Sequence, residues 1–341
     1  MRILSIYMQA GGVGKTSITS MLAYELSHTG KVLIIDADQQ SNTTLQFLRN
    51  YGNISYIIEN KEIFLHCCKL NEFDEEDISN IENELEKINT FCQEQEETLS
   101  FDDFFNNEEI ITSYCDEYDT NYDTLELLKK TFQKYAQKNC RDFLSVLKQD
   151  CELKEALIEV RKEDKECKGL FILPSRNKDS KLQNFYESVD FREEPEIIEK
   201  ILEDAENLDF EYVFFDLPPT FGYAQKILLS NCTDIIPIIN PDEKSIDGLI
   251  QFNNHMDKLK KQYNGKFTAN NFLVVNREKK DNKVHQHWIG VLKDSPYKLF
   301  ELSDSNSVTS AASQKKVLQE WQKSSKLNTT IKNLADEIIG K

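Results

Sequence analysis

Nine residues near the start of the chain, Gln9-Ala10-Gly11-Gly12-Val13-Gly14-Lys15-Thr16-Ser17, combine a flexible backbone, one cation and two hydroxyls. That set suits phosphate. Glycines let main-chain N–H groups approach phosphate oxygens, and a helix starting there turns its positive dipole end towards an anion. Lys15 would reach the β- and γ-phosphates, and the Thr16 hydroxyl would bind Mg²⁺, so ATP and Mg²⁺ are the expected ligands. The flanks support the reading. An apolar run over residues 3–8 precedes the glycines, and Ile18, Met21, Leu22 and Leu26 follow at helical spacing. Strand, glycine turn, lysine, hydroxyl and helix is the layout of a phosphate-binding loop.

Two carboxylate-bearing stretches complete the chemistry. Residues 31–36 read as a buried strand ending in Asp36-Ala37-Asp38-Gln39-Gln40-Ser41-Asn42. A right-handed strand–helix–strand unit puts both strand ends beside the bound phosphates. One carboxylate there can hold Mg²⁺ through its water shell, and the other can orient and polarise the water that attacks the γ-phosphate. Further on, Tyr212-Val213-Phe214-Phe215-Asp216-Leu217-Pro218-Pro219 is an apolar strand ending in one aspartate. A carboxylate at the C-terminal end of a parallel strand lies over the phosphate loop, so Asp216 would hold a water of the Mg²⁺ shell.

Residues 11–16 resemble the deviant Walker A loop of the ParA/MinD ATPases, the partition and positioning family related to nitrogenase iron protein. Residues 36–42 are similar to that family's Asp-x-Asp-Pro-Gln-Gly-Asn motif, with Gln39 and Ser41 in place of proline and glycine. Residues 212–219 resemble its Walker B segment with two prolines. The resemblance covers residues 1–49 and 141–341, with three motifs in the family's order. It implies that Gly11, Gly12, Val13, Gly14, Lys15, Thr16 and Ser17 hold the nucleotide. It also implies that Lys15 and Asp38 are catalytic, Asp38 by positioning the lytic water. Thr16, Asp36 and Asp216 then support Mg²⁺, partly through water. Asn276-Arg277, at the end of an apolar run, resembles the base-contacting segment. By the same resemblance ATP closes a homodimer that engages DNA or a protein partner in partition or positioning, and hydrolysis releases it.

One position departs from the family. A second lysine usually stands just before the two glycines, and here that position is Ala10. In relatives this lysine reaches the nucleotide of the other subunit like an arginine finger, an effect worth roughly 10³–10⁵ in rate. Lys15 remains, so ATP binding is expected to survive while hydrolysis is weak or absent. Three readings are open: a deliberate replacement that traps a nucleotide state, recruitment of another cation, or a natural switch with slow turnover. The intact loop and carboxylates favour the first.

The elements that must position these residues give an α/β P-loop fold, a mostly parallel sheet with helices on both faces. Strands are expected at 169–174, 212–216, 234–241, 271–277 and, at an edge, 297–302. Helices are expected at 15–29, 142–147, 195–207, after 245–249, and at 330–339. Residues 50–140 break the pattern and read as an acidic, mostly helical insertion, with amphipathic helices at 78–90 and 125–136 and Phe101, Phe104 and Phe105 available to pack.

Charge is uneven along the 341 residues: residues 51–166 hold 13 basic and 30 acidic groups, and residues 251–341 hold 16 and 9. Such asymmetry often marks partner surfaces, although a solvated acidic face explains it equally well. Lysine clusters at 258/260/261, 279/280/283, 315/316 and 323/326 could follow a DNA backbone, since non-specific binding needs only local positive charge. The eight cysteines form no Cys-x-x-Cys pair, no signal peptide opens the chain, and no apolar stretch approaches the roughly 18 residues of a membrane helix. The last helix carries Asp336 and Glu337, so it is expected to pack rather than bind a membrane. A cytoplasmic protein with reduced thiols is expected. The alternative is a nucleotide-sensing scaffold subunit of a larger regulatory or phage-defence complex, docking through residues 50–140 without DNA.

Overall fold

A computed structural model describes residues 1–49, 51–95, 98–176, 180–262 and 272–340. The chain divides into two compact units, Met1–Leu48 with Asp142–Lys341, and Arg49–Arg141.

The first unit is built on one eight-stranded sheet: β1 (Arg2–Tyr7), β2 (Val32–Asp36), β3 (Ile158–Val160), β4 (Leu170–Leu173), β5 (Tyr212–Asp216), β6 (Asp234–Ile239), β7 (Phe272–Glu278) and β8 (Lys298–Ser303). Their order is β3-β4-β2-β5-β1-β6-β7-β8. Only the three-residue β3 runs antiparallel. Helices pack around the sheet and cover it, which is why its inner strands are near-continuous apolar runs: Val32, Leu33, Ile34 and Ile35 are all fully buried.

Helix α1 (Lys15–Ser27) packs against β1, β2 and β5, and against the last helix, Lys326–Ile339. Arg2 fixes this layer. Its guanidinium forks onto Asp234 of β6, Nε to Oδ2 at 3.1 Å and Nη2 to Oδ1 at 2.7 Å, and Nη1 also donates to the Ile338 carbonyl. A bidentate arginine–carboxylate pair sets geometry as well as energy. β1 lies between β5 and β6, and β2 pairs β5 with Asp36 directly opposite Asp216. The strand C-terminal ends therefore gather three motif ends at one edge of the sheet, where ligands bind in open α/β folds.

Several boundaries differ from the sequence expectation. The helix expected from Pro195 spans Ile197–Asn207, because proline just ahead of a helix presets the chain without joining it. Residues 245–249 lie inside the Glu243–Gln262 helix rather than leading into it. Asn276 and Arg277 belong to β7 as expected, but the strand runs on to Glu278 and its register with β8 shifts there. Asn271, expected to open that strand, lies outside the described residues. The short β3 was not foreseen, since three residues carry no readable period. No helix of the described residues is long and apolar enough to cross a membrane.

The second unit is helical, with spans Ile54–Glu59, Lys61–Leu70, Glu75–Glu94, Phe101–Asn106, Glu108–Tyr118 and Tyr122–Asn139. Its core is aromatic. Phe104, fully buried, meets Phe91, Phe105 and Tyr114 edge-on at 6.2, 5.2 and 5.3 Å between ring centroids. Much of its acidity has a local cause. Asp74 and Asp77, and Ser100 and Asp103, form capping boxes, and Glu75, Glu76, Asp102, Glu108, Glu109 and Asp123 sit in first helical turns. Carboxylates there satisfy free N–H groups and oppose the helix dipole. The Asp102 carboxylate also accepts from the Ile54 and Ser55 amides at 2.9 and 3.1 Å, tying two helices together.

Truncation of the central ring should be costly. Phe104→Ala is expected to destabilise this unit by about 3–5 kcal/mol, measured as a lowered midpoint in urea denaturation followed by near-UV circular dichroism.

Candidate functional site

The glycine loop joins β1 to α1 with two residues in the left-handed region, Gly12 at φ +71° and Gly14 at φ +99°. A Cβ at Gly14 would lie 2.4 Å from the Asn276 side-chain nitrogen, so glycine is required there twice over. Asn276 Nδ2 donates to the Val13 carbonyl at 2.7 Å, which braces the loop from β7. Arg277, at φ +57°, lines with Gly14, Ser17, Asn276, Ser303 and Ser305 a cavity of about 70 Å³ beside the start of α1. Gly11 and Gly12 are exposed, and Ser17 is half-buried.

Lys15 is 8 % exposed and donates from Nζ to the Ala10 carbonyl at 2.9 Å, so the loop closes on its own lysine. Burial lowers the lysine's pKa, opposed by the Asp216 and Asp38 carboxylates. Thr16 Oγ1 donates to Asp216 Oδ2 at 2.8 Å. The three aspartates named from the sequence thus converge on the loop, and all three are buried.

The structure adds two residues that sequence reasoning missed. Helix α2 (Asn42–Leu48) starts directly after the Asp36–Ser41 turn. From its first turn Thr43 Oγ1 donates to Asp216 Oδ2 at 2.7 Å. Thr44 donates to Asp36 Oδ2 twice, from its amide at 2.8 Å and its hydroxyl at 2.6 Å. The available signal was a pair of hydroxyls within eight residues of Asp36. Asp38 Oδ1 accepts from the Gln40 amide at 2.9 Å. Ser41, standing where the family motif has glycine, adopts φ +52° and is fully buried with its hydroxyl unpartnered. Outside this centre, Gln9 Oε1 meets His255 Nδ1 at 2.6 Å, and the His255 ring stacks on Phe221 at 4.6 Å.

Electrostatics mark a site built for a cation. Burial, then the neighbouring Asp216, push the Asp36 carboxyl up to about 8 against the Thr44 hydrogen bonds. Burial raises Asp216 to about 6 although Thr43 and Thr16 pull it down. Burial also raises Asp38, opposed by the Gln40 amide and Lys15. Asp216 Oδ1 is buried without a hydrogen-bond partner. An orphaned carboxylate oxygen beside a threonine hydroxyl is an oxygen donor set that fits Mg²⁺. Among the described residues no three His, Cys, Asp or Glu side chains close into a metal cage.

A family model for the AAA domain matches residues 1–127 and 125–269. The chain belongs to the ParA/MinD family of ATPases. The matched stretches run into the second unit and stop at residue 269, whereas the sequence motifs placed the resemblance outside 50–140 and up to the C-terminus. The protein BBD21 of Borreliella burgdorferi is 25 % identical over 179 residues, which are 50 % of this chain and 68 % of that protein. Cyanothece McdA in its ATP complex superposes with a TM-score of 0.60 at 18 % identity, over 100 % of this chain and 96 % of that one. A Borrelia burgdorferi plasmid partition protein gives 0.56 at 16 %, over 99 % and 98 %. Pyrococcus horikoshii MinD with Mg-ADP gives 0.57 at 14 %, over 99 % and 95 %. At these identities the solved ParA/MinD structures establish the shared fold, a mostly parallel sheet wrapped by helices.

Two measurements test the site's energetics. A carboxyl whose pKa is raised on folding is no burden below its unfolded value, 3.8, and weakens the fold as pH rises through its folded value. Metal-free protein should therefore lose stability between about pH 4 and pH 8. Asp36→Asn, which keeps an acceptor for Thr44, should melt several degrees higher than the unsubstituted chain in EDTA at pH 8 and show no such gain at pH 4. Ser41→Gly relieves a left-handed serine and removes a buried orphan hydroxyl. It should gain about 1 kcal/mol in urea denaturation.

Proposed function

We propose that this chain is an ATP-binding, dimerising switch of the ParA type, with hydrolysis impaired by Ala10. The observation that carries the reading is the Thr16–Asp216 hydrogen bond at the start of α1, made beside a buried lysine and across the sheet from Asp36. In this reading the amides of residues 11–17 and Lys15 hold the phosphates. On nucleotide arrival Lys15 exchanges the Ala10 carbonyl for phosphate oxygens, a stronger charge-assisted acceptor. Thr16 would offer its oxygen to Mg²⁺ while keeping its hydrogen on Asp216, and Asp36 and Asp216 would support the metal through water. Mg²⁺, when bound, would neutralise charge on the β- and γ-phosphates. Asp38 orients the attacking water. Asn276 and Arg277 line the base side of the loop. The glycines and Ser17 are placed to supply N–H groups, and Val13 holds the loop's carbonyl against Asn276.

Two ATP molecules would be sandwiched between two copies of the chain, each completing the other's site. The family's bridging lysine is absent, so the closed state should be long-lived. That state would present a surface for DNA, through lysines of the C-terminal third, or for a protein partner, through the second unit. A second reading, a nucleotide-sensing scaffold in a larger complex without DNA, is favoured by one observation: residues 49–141 form a compact unit of their own.

ATP turnover and mass in ATP, measured for this chain and for Ala10→Lys, test the proposal. The lysine should raise turnover at least about tenfold, given the roughly 10³–10⁵ that a bridging cation supplies elsewhere, and Asp38→Ala should abolish the gain. Unchanged turnover and a monomeric mass in ATP would sink the switch mechanism. Retention on non-specific DNA at low salt with ATP separates the two readings, because electrostatic binding fades as salt rises.

A further inference from the structure

We infer that Thr43 is a positioning residue that fixes the rotation of the Asp216 carboxylate and thereby sets the protein's affinity for Mg²⁺ with nucleotide. The inference rests on the ATP-binding reading above and adds a residue outside all of its motifs.

The argument begins with a count of lone pairs. A carboxylate oxygen has two in-plane acceptor positions. Asp216 Oδ2 receives two hydroxyl hydrogens, from Thr16 at 2.8 Å and from Thr43 at 2.7 Å, and so is filled. Oδ1 is buried and has no hydrogen-bond partner. The two donors come from opposite sides in sequence, Thr16 from the glycine loop and Thr43 from the turn that carries Asp36 and Asp38. Together they decide which oxygen is satisfied by protein and which is left for a ligand.

With Thr43 absent, that order is lost. Thr16 alone is a single tether, and the carboxylate plane can swing about the Cβ–Cγ bond while keeping that one hydrogen bond. One buried lone pair of Oδ2 also stays empty. The carboxylate would then adapt to each environment instead of being held for one. Thr43 acts only through Asp216. The neighbouring Thr44 is spoken for by Asp36 and by the Ser175 amide, which donates to its hydroxyl at 2.9 Å, so it cannot stand in.

The position also links two elements of the site. Thr43 joins the strand-end carboxylate of β5 to the first turn of α2, which continues directly from the turn holding Asp38. A metal-bound water on Oδ1 would therefore stabilise the one carboxylate rotamer that also holds this turn in place.

The test uses the full chain and a fluorescent ATP analogue, titrated with MgCl₂ after EDTA treatment. Thr43→Val, nearly isosteric, should raise the half-saturating Mg²⁺ about tenfold, within the 10–100-fold range for groups behind a metal site, while metal-free affinity stays within about twofold. Thr43→Ser should restore the original midpoint, since only the hydroxyl is needed. Thr43→Ala carries the same expectation as valine and serves if the valine variant does not fold. An unchanged Mg²⁺ midpoint in Thr43→Val overturns the inference. So does an equal loss with and without metal, or a serine variant as impaired as valine, because each points to packing instead of carboxylate orientation. If the unsubstituted chain binds no analogue even with Mg²⁺, the ATP-binding reading falls and takes the inference with it. Binding by the unsubstituted chain with a silent Thr43→Val removes the inference alone.

Discussion

Three carboxylates buried against one lysine are the constraint around which the first unit is arranged. Asp36 and Asp216 are shut off from bulk water, Asp38 is buried but 7 % exposed, and Lys15 is the cation whose field reaches Asp38 and Asp216. Burying charge is costly unless it is paired or hydrogen-bonded, and one ammonium cannot balance three carboxylates. The fold meets this in part. Two threonine hydroxyls and a main-chain amide from α2, and one hydroxyl from α1, take up lone pairs of Asp36 and Asp216. The remainder is left unmet, as the raised carboxyl pKa values and the orphan Asp216 oxygen record. Sites where a sequence tolerates such imbalance are where a ligand supplies the missing charge.

The loop opposite them carries the complementary imbalance. Gly11 and Gly12 are exposed, and its lysine meets its own Ala10 carbonyl. In the proposed reading a nucleotide phosphate would take up the loop's N–H groups and a divalent cation the unmet charge of the carboxylates. The bracing by Asn276 from β7 matters for the same reason. It holds the loop's shape from the far side, so the turn need not be organised by the ligand itself.

The sheet and the loop were legible in the sequence because their signals are local. Continuous apolar runs give buried strands, and two glycines ahead of Lys-Thr give a turn that opens a helix. That Asp36 and Asp216 each end a strand was legible, but not the register that sets them opposite each other. What was not legible depends on contacts distant in sequence. Thr43 and Thr44 look like any hydroxyls at a helix start, where they commonly satisfy local N–H groups. Their actual partners are fixed by how α2 is laid against β2 and β5. Asn276 was read from family likeness as a base contact, and the bond of its side-chain nitrogen to the Val13 carbonyl, 263 positions away, was not foreseen. The acidity of residues 50–140 was legible as composition but not as cause. Much of it caps or opens five of the unit's six described helices, a task that needs no partner.

The two segments of the first unit that flank the second are both tied to the end of β4. The chain leaves through α2, whose Thr44 hydroxyl accepts the Ser175 amide, and returns at Asp142, whose carboxylate pairs with Arg176 at 3.1 Å. Phe143, the next residue, donates its amide to the Pro174 carbonyl at 2.8 Å. Exit and return are thus both pinned to three consecutive residues, Pro174 to Arg176, and one of the pins is the threonine that holds Asp36. A 93-residue unit placed in a surface turn would need only that its ends be close. Here both flanking segments, each part of the first unit, are also bonded to residues 174–176, and on the exit side Thr44 carries that bonding on to Asp36.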